Sequence, residues 1–170
     1  MDEGRNTVSL SELACLHYPL VYRYAFRLCG SVEEAEDLTQ QAFLTAHRRL
    51  DQLRERDSAK AWLCAILRNT FLTRVSLRRS ARMIPLRAVA EPAEEISREA
   101  TIDSDELQQI LNELPEEFRT PVILFYFDEL TYREIAEQMN VPIGTVMSRL
   151  ARGKAHLRRR LESMQSSPAH

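Results

Sequence analysis

The sequence is poor in the residues that punctuate β structure or cross-link small folds: in 170 residues there are four glycines and three cysteines. So few glycines, among many Leu, Ala, Glu and Arg, disfavour a turn-rich β protein and favour helices. Cys15, Cys29 and Cys64 are odd in number and have no CxxC spacing, which argues against a zinc finger or a disulfide framework. Each lies in an apolar helical pattern and is expected to be a buried free thiol. No apolar run reaches the roughly 18 residues that a membrane span requires. The opening MDEGRNTVSLSEL lacks the basic start and apolar core of a signal peptide, so the expectation is a cytoplasmic protein. Chemistry is equally sparse, with no Gly-rich phosphate loop, HExxH, nucleophile elbow or histidine pair at ligand spacing. Cys15 and His17, two apart, do not share a helix face. Glu33, Glu34, Glu36 and Asp37 lack the alternate spacing of a calcium loop and suit a helix start instead. Neither an enzyme, a metal site nor a cofactor is expected.

What is present is a core and a segregated charge pattern. The chain is 44% hydrophobic, enough for a core, and its length allows one medium domain or two small ones. The net charge is only -2, but between Arg48 and Arg82 there are ten basic residues against three acids. From Arg87 to Glu117 there are two arginines against ten acids, and from Arg149 to Glu162 six bases against one acid. A solvated helix face ordinarily intersperses both signs. Two basic patches flanking an acidic middle point instead to a polyanion, nucleic acid first.

Periodicity gives two helical blocks. Leu10, Leu13, Val21, Tyr24, Ala25 and Leu28 predict an amphipathic helix over 10–29, with a kink or break near Tyr18 caused by Pro19 and a stop at Gly30. Ser31 with Glu34 reads as a capping box for a helix over 32–50, carrying Val32, Ala35, Leu38, Ala42, Phe43, Ala46 and Leu50 on one side. LRERDS follows as a loop, and Ser58 is the expected N-cap of a helix over 59–79 in which Trp62, Ile66, Asn69/Thr70, Thr73 and Leu77 share a face. Pro85, Pro92 and a run of acids then predict a flexible linker. The second block has a helix over 104–113, started by Asp103 or Ser104, and a further one from Pro115 that Pro121 should bend or restart. The turn falls at Asp128-Glu129, and Thr131 with Glu134 caps a short helix over 132–139. A last helix covers about 143–163, and the tail from Gln165 should fray.

Segment 131–152, TYREIAEQMNVPIGTVMSRLAR, has the layout of a helix-turn-helix. Ala136 is the small residue that lets two helices approach, Asn140 tolerates left-handed geometry at the turn, and Val146 anchors the second helix. Ile135, Met139, Val141 and Leu150 complete the shared core. Thr145, Ser148, Arg149, Arg152 and Lys154 are then expected on the exposed face, Thr145 near a phosphate at the helix N-terminus and Ser148 and Arg152 within reach of base edges.

The stretch LPEEFRTPVILFYFDELTYREIAEQMNVPIGTVMSRLARGKAHL resembles region 4 of the sigma-70 family, in its two-domain extracytoplasmic-function class. YPLVYRYAFRLCGSVEEAEDLTQQAFLTAHRRL resembles regions 2.1 and 2.2 of that class. AKAWLCAILRNTFLTRVSLRR resembles regions 2.3 and 2.4, with the WLxxIxRN core present as Trp62, Leu63, Ile66, Arg68 and Asn69. The resemblance covers about residues 10–163. It implies an all-α protein with a three- to four-helix region 2 bundle over 8–82, an acidic linker over 83–103 and a helix-turn-helix region 4 over 104–164. It further implies that Asp37, Leu38, Gln40, Gln41 and Phe43 dock on the coiled coil of the RNA polymerase largest subunit. The loop from Leu53 to Ser58, including Arg54, and Asn69 would hold a base flipped from the -10 element, with Trp62 beside them. The cluster Arg68, Arg74, Arg78, Arg79 and Arg82 would follow the melted or adjacent backbone. Met147, Ser148, Ala151 and Arg152 would read the -35 duplex, with Arg149 and Lys154 on phosphates, and helix 115–127 would meet the polymerase flap. An anti-sigma factor is a further implied partner. Leu53 stands where Phe is common, Thr73 where Asp is frequent, and Gly153-Lys154 where Ala-Arg is usual. Gly in mid-helix costs about 1 kcal/mol relative to Ala.

Two other readings compete. A free-standing dimeric helix-turn-helix regulator explains the second block, leaves the first without a task and demands a palindromic site. A signalling protein that keeps the fold only to bind an anti-sigma partner leaves the basic recognition helix unexplained.

Overall fold

The computed structural model describes residues 9–53, 55–82 and 104–165. Arg54 and the expected linker 83–103 lie outside the described residues, as do Asp103 as a helix start and most of the expected frayed tail. Every regular element among the described residues is helical. The chain divides into two units, Met1–Leu77 and Arg78–His170, the division falling inside one helix.

In the first unit, α1 runs Leu10–Cys29 and α2 Val32–Arg48. Ser9 opens α1 with a complete capping box to Glu12. Gly30, at φ 74°, closes it in the left-handed conformation that glycine adopts without steric cost. Ser31 caps α2 by accepting the Glu34 amide. Of the predicted kink or break at Pro19, the break is corrected: α1 is continuous through it. Pro19 deprives the Cys15 carbonyl of its donor, but Cys15 is exposed, so water can serve that oxygen. Leu13, Val21, Tyr24, Ala25 and Leu28 meanwhile bury the other side of the helix. The same exposure corrects the expectation of three buried thiols, since Cys15 is exposed and Cys29 and Cys64 are half-buried.

The segment after α2 holds two single 3-10 turns, Leu50–Gln52 and Arg56–Ser58, the second leading directly into α3, Ala59–Arg82. Ser58 is therefore part of the entering turn, and Glu55 is the extended residue before it. Arg56 pairs with Glu12 of α1 at 2.6 Å. The core of the unit takes Ala59, Leu63, Ile66, Leu67, Phe71, Leu72 and Val75 from α3. Of the face expected to run from Trp62 to Leu77, only Ile66 is buried; Asn69, Thr73 and Leu77 are exposed. That stripe is presented outward.

The second unit contains α4, Ser104–Glu113; α5, Glu116–Tyr126; α6, Tyr132–Met139; and α7, Ile143–Gln165. Pro115 precedes α5 as its N-cap. α5 runs through Pro121 without a restart after Thr120, which corrects that part of the second proline expectation. The carbonyl it leaves without a donor belongs to the exposed Glu117, while Val122, Ile123 and Leu124 are at most 1% exposed and hold the helix in place. α7 packs against α4, α5 and α6 and is the spine of the unit.

Candidate nucleic-acid interface

The helix-turn-helix is built as its spacing requires. Thr131 and Glu134 form a complete capping box at the start of α6. Asn140 ends the helix at φ 52°, ψ 51°, and the Val141 amide reaches back to the Ala136 carbonyl at 3.1 Å. Left-handed geometry is one that Asn tolerates better than other side chains. Pro142 then accepts the Thr145 and Val146 amides, starting α7. Ile135, Val146 and Leu150 are fully buried, Ala136 and Met139 nearly so, and Val141 is half-buried.

The exposed face of α7 is narrower than its residue types suggest. Thr145, Ser148, Arg149 and Lys154 are each at most 7% exposed, which corrects their expected placement on the outer face. Thr145, Arg149 and Gly153 follow at four-residue spacing and so share a stripe. Gly153 is where that stripe meets α5: a Cβ there would lie 2.5 Å from Val122 Cγ2 and 3.3 Å from the Phe118 carbonyl. Arg149 has its guanidinium 3.8 Å from Glu117, and burial holds its pKa below the ordinary value. Ser148 turns its hydroxyl onto the Thr145 carbonyl at 3.1 Å. Lys154 points its ammonium at three rings, 4.5 Å from the centroid of Phe125, 5.6 Å from Tyr126 and 5.9 Å from Tyr132.

What remains outward along the first three turns is Ile143, Gly144, Met147 and Arg152, with Ala151 half-buried. Ile143 is 50% and Met147 48% exposed. Arg152 lies over the Phe118 ring at 5.8 Å, so its long side chain has a platform while its charge stays in water. Sequence reasoning missed Ile143 and Gly144, which precede the first polar position of the helix.

In the first unit, Trp62 and Arg68 are half-buried and Asn69 is exposed. Trp62, Asn69 and Thr73 align on one side of α3 by spacing. Leu53 is half-buried just after the first 3-10 turn. Arg74 is not a free cation: it donates to Asp37 at 2.7 Å and Gln41 at 3.2 Å on α2. Further along α3, where the second unit begins, Arg78 donates to Glu116 at 2.8 Å and Arg79 is half-buried.

Of the five α2 positions expected to meet a partner, Asp37, Gln40 and Gln41 are exposed and Phe43 half-buried, whereas Leu38 is fully buried. Leu38 is a core residue that seats α2, which corrects its place among the contacts. Asp37, Gln40 and Phe43 line a groove of about 660 Å³ between α1 and α2, together with Leu10, Ala14, Tyr18 and Leu44. Tyr18 stacks on Phe43 and on Tyr22, and Tyr22 on Phe26. The four-residue spacing of Tyr18, Tyr22 and Phe26 is the signal by which the α1 wall could have been found. Among the described residues, no group of His, Cys, Asp or Glu could hold a metal ion, and no helix is long and apolar enough to cross a membrane.

Comparison with known proteins accounts for both units. The family described as Sigma-70 region 2 matches residues 14–82, and Sigma-70 region 4 matches residues 104–157. The ECF RNA polymerase sigma factor SigE of Mycolicibacterium smegmatis is 38% identical over 168 residues, covering 95% of this chain, which spans 65% of that protein's length. The ECF RNA polymerase sigma-E factor of Escherichia coli is 35% identical over 156 residues, with 79% of this chain and 81% of that protein covered. The ECF sigma factor SigW of Bacillus subtilis is 27% identical, with 92% and 90% covered. Among solved structures, the sigma factor RpoE of Bartonella quintana, crystallised with the anti-sigma factor NepR, matches at a TM-score of 0.57 and 25% identity, over 89% of this chain and 96% of that one. With both sigma regions matched in order on an all-helical chain, the protein belongs to the sigma-70 family, in its ECF class of RNA polymerase sigma factors.

Proposed function

We propose that this chain gives RNA polymerase its promoter preference in the cytoplasm as a binding factor without catalysis of its own. Its first unit docks on the coiled coil of the polymerase largest subunit through the α1–α2 groove, with Asp37, Gln40, Gln41 and Phe43 as contacts. The outward stripe of α3 with Leu53 engages the melted -10 element, where Asn69 and Trp62 receive an unstacked base. Arg54, Arg68, Arg78 and Arg79 supply charge along the strand. In the second unit Met147, Ala151 and Arg152 read the -35 duplex. Arg is the residue whose fork matches guanine O6 and N7, and Met offers an apolar contact. α5 is the side turned to the polymerase flap. An anti-sigma factor is the partner that holds the chain inactive, a reading supported by the NepR-bound relative.

The observation that carries this reading is the placement of Met147 and Arg152 on the outer face of a complete helix-turn-helix, beside the exposure of Asn69, Thr73 and Leu77 along α3. Anchoring both units on one polymerase raises their effective concentration at two promoter elements, so modest contacts at each suffice. A dimeric regulator finds no support in relatives that are polymerase sigma factors along most of this chain. Reconstituted transcription tests the proposal. Core polymerase should initiate at mapped promoters only when the chain is added, and Arg152→Ala should abolish the preference for the wild-type -35 sequence. Failure to associate with core polymerase, together with unaided protection of a symmetric site, would overturn it.

A further inference from the structure

Lys154 occupies a position where a basic side chain on a recognition helix is expected to meet DNA phosphate, yet it is 4% exposed. Its ammonium faces Phe125 and Tyr126 at the end of α5 and Tyr132 at the start of α6, 4.5 to 5.9 Å from their centroids. The rings also contact one another, Phe125 edge-on to Tyr126 at 5.0 Å and tilted against Tyr132 at 5.3 Å. Among the described residues no carboxylate pairs with Lys154. A cation inside such a box is held by the negative ring faces, and the attraction strengthens as water is removed.

We propose that Lys154 is an internal pin that ties α7 to both flanks of the α5–α6 turn and thereby fixes the pitch of the recognition helix, so that it is a positioning residue for -35 reading and not a phosphate ligand. The three helices meeting at this one ammonium are those that decide how Met147 and Arg152 are presented. Withdrawing the pin leaves α7 intact but loosens its angle to α6. Base-edge contacts, which depend on angle, then weaken. Phosphate contacts, which tolerate displacement, persist. The inference rests on the -35 reading proposed above.

The test measures binding of the full chain, as holoenzyme, to duplexes with a selected or a scrambled -35 element across a salt series. Lys154→Met and Phe125→Leu should each lower affinity for the selected duplex about tenfold while leaving the scrambled duplex unchanged. The salt slope should stay at the wild-type value, the double variant should be no worse than either single one, and Lys154→Arg should restore discrimination. A phosphate ligand predicts otherwise: Lys154→Met would reduce the slope by about 0.9 and weaken both duplexes alike, with Phe125→Leu silent. That result, or variants that discriminate as the wild type does, overturns the pin. Phe125→Leu keeps the inference falsifiable should Lys154→Met fail to fold. A wild-type holoenzyme that does not discriminate at all overturns the functional reading, and the pin's role at DNA with it.

Discussion

At the scale of single residues, Gly153 is held by a close approach between helices. Gly153 reads in the sequence as a helix-weakening substitution, and the structure supplies its reason in the Val122 methyl that a Cβ would strike. Gly153→Ala is expected to lower stability by about 1–3 kcal/mol despite its better helix propensity, because overpacking outweighs it. Adding Val122→Ala should recover much of the loss in thermal denaturation. Gly144 is the control, with nothing within 4 Å of an added Cβ, so Gly144→Ala should be neutral or raise stability by about 0.5–1 kcal/mol. No pattern in the sequence separates these two glycines, because the difference lies in what a neighbouring helix brings near. Glu113 makes a third case. Arg160, and then His156, hydrogen-bond its carboxylate and hold its pKa below the ordinary value near 4.5. A carboxylate with a depressed folded pKa stabilises above its unfolded pKa and loses that contribution as pH falls through the folded one. Glu113→Gln should therefore flatten the acid limb of a melting-temperature profile below about pH 4.5 while changing its shape little at neutral pH.

At the scale of elements, the cap and turn of α6 were the readable part. Thr131, Glu134 and Asn140 announced α6 and its turn because capping depends on a few adjacent residues. Thr131→Ala should cost about 1 kcal/mol. Asn140→Val, a β-branched residue forced to φ 52°, should cost more than Asn140→Gly, and comparing the two melts checks the left-handed turn. Prolines misled for the converse reason. Whether Pro19 and Pro121 break a helix depends on what surrounds the carbonyl left over and on packing from elsewhere in the unit, neither of which is local. The outer face of α7 was misjudged on the same ground: polarity placed Thr145, Arg149 and Lys154 outside, whereas Glu117 and the ring cluster made burial tolerable. Leu38 and Phe43 show the limit again on α2, five apart and both apolar, one core and the other on the groove.

At the scale of the whole chain, charge arrangement matters more than its total. With a net -2 and the acids gathered in the middle, the isolated chain should bind promoter DNA weakly. The holoenzyme should bind it with an affinity that falls steeply with salt, about 0.9 in slope for each phosphate engaged, and filter binding across a salt series distinguishes the two. Two helical blocks in order were readable from periodicity and charge alone, since both are properties of long segments. Which side chains face outward was not, since that is decided by contacts among helices distant in sequence.

The near-contact at Gly153 has a mechanical corollary. Only a hydrogen atom stands between the α7 backbone and α5 at that point, so α7 cannot settle deeper against α5 there. A reader so mounted has little room to yield toward α5 when it meets a duplex. If α7 reads the -35 duplex as proposed, differences in shape among sites fall largely to the DNA, whose bending stiffness then enters the choice of start site.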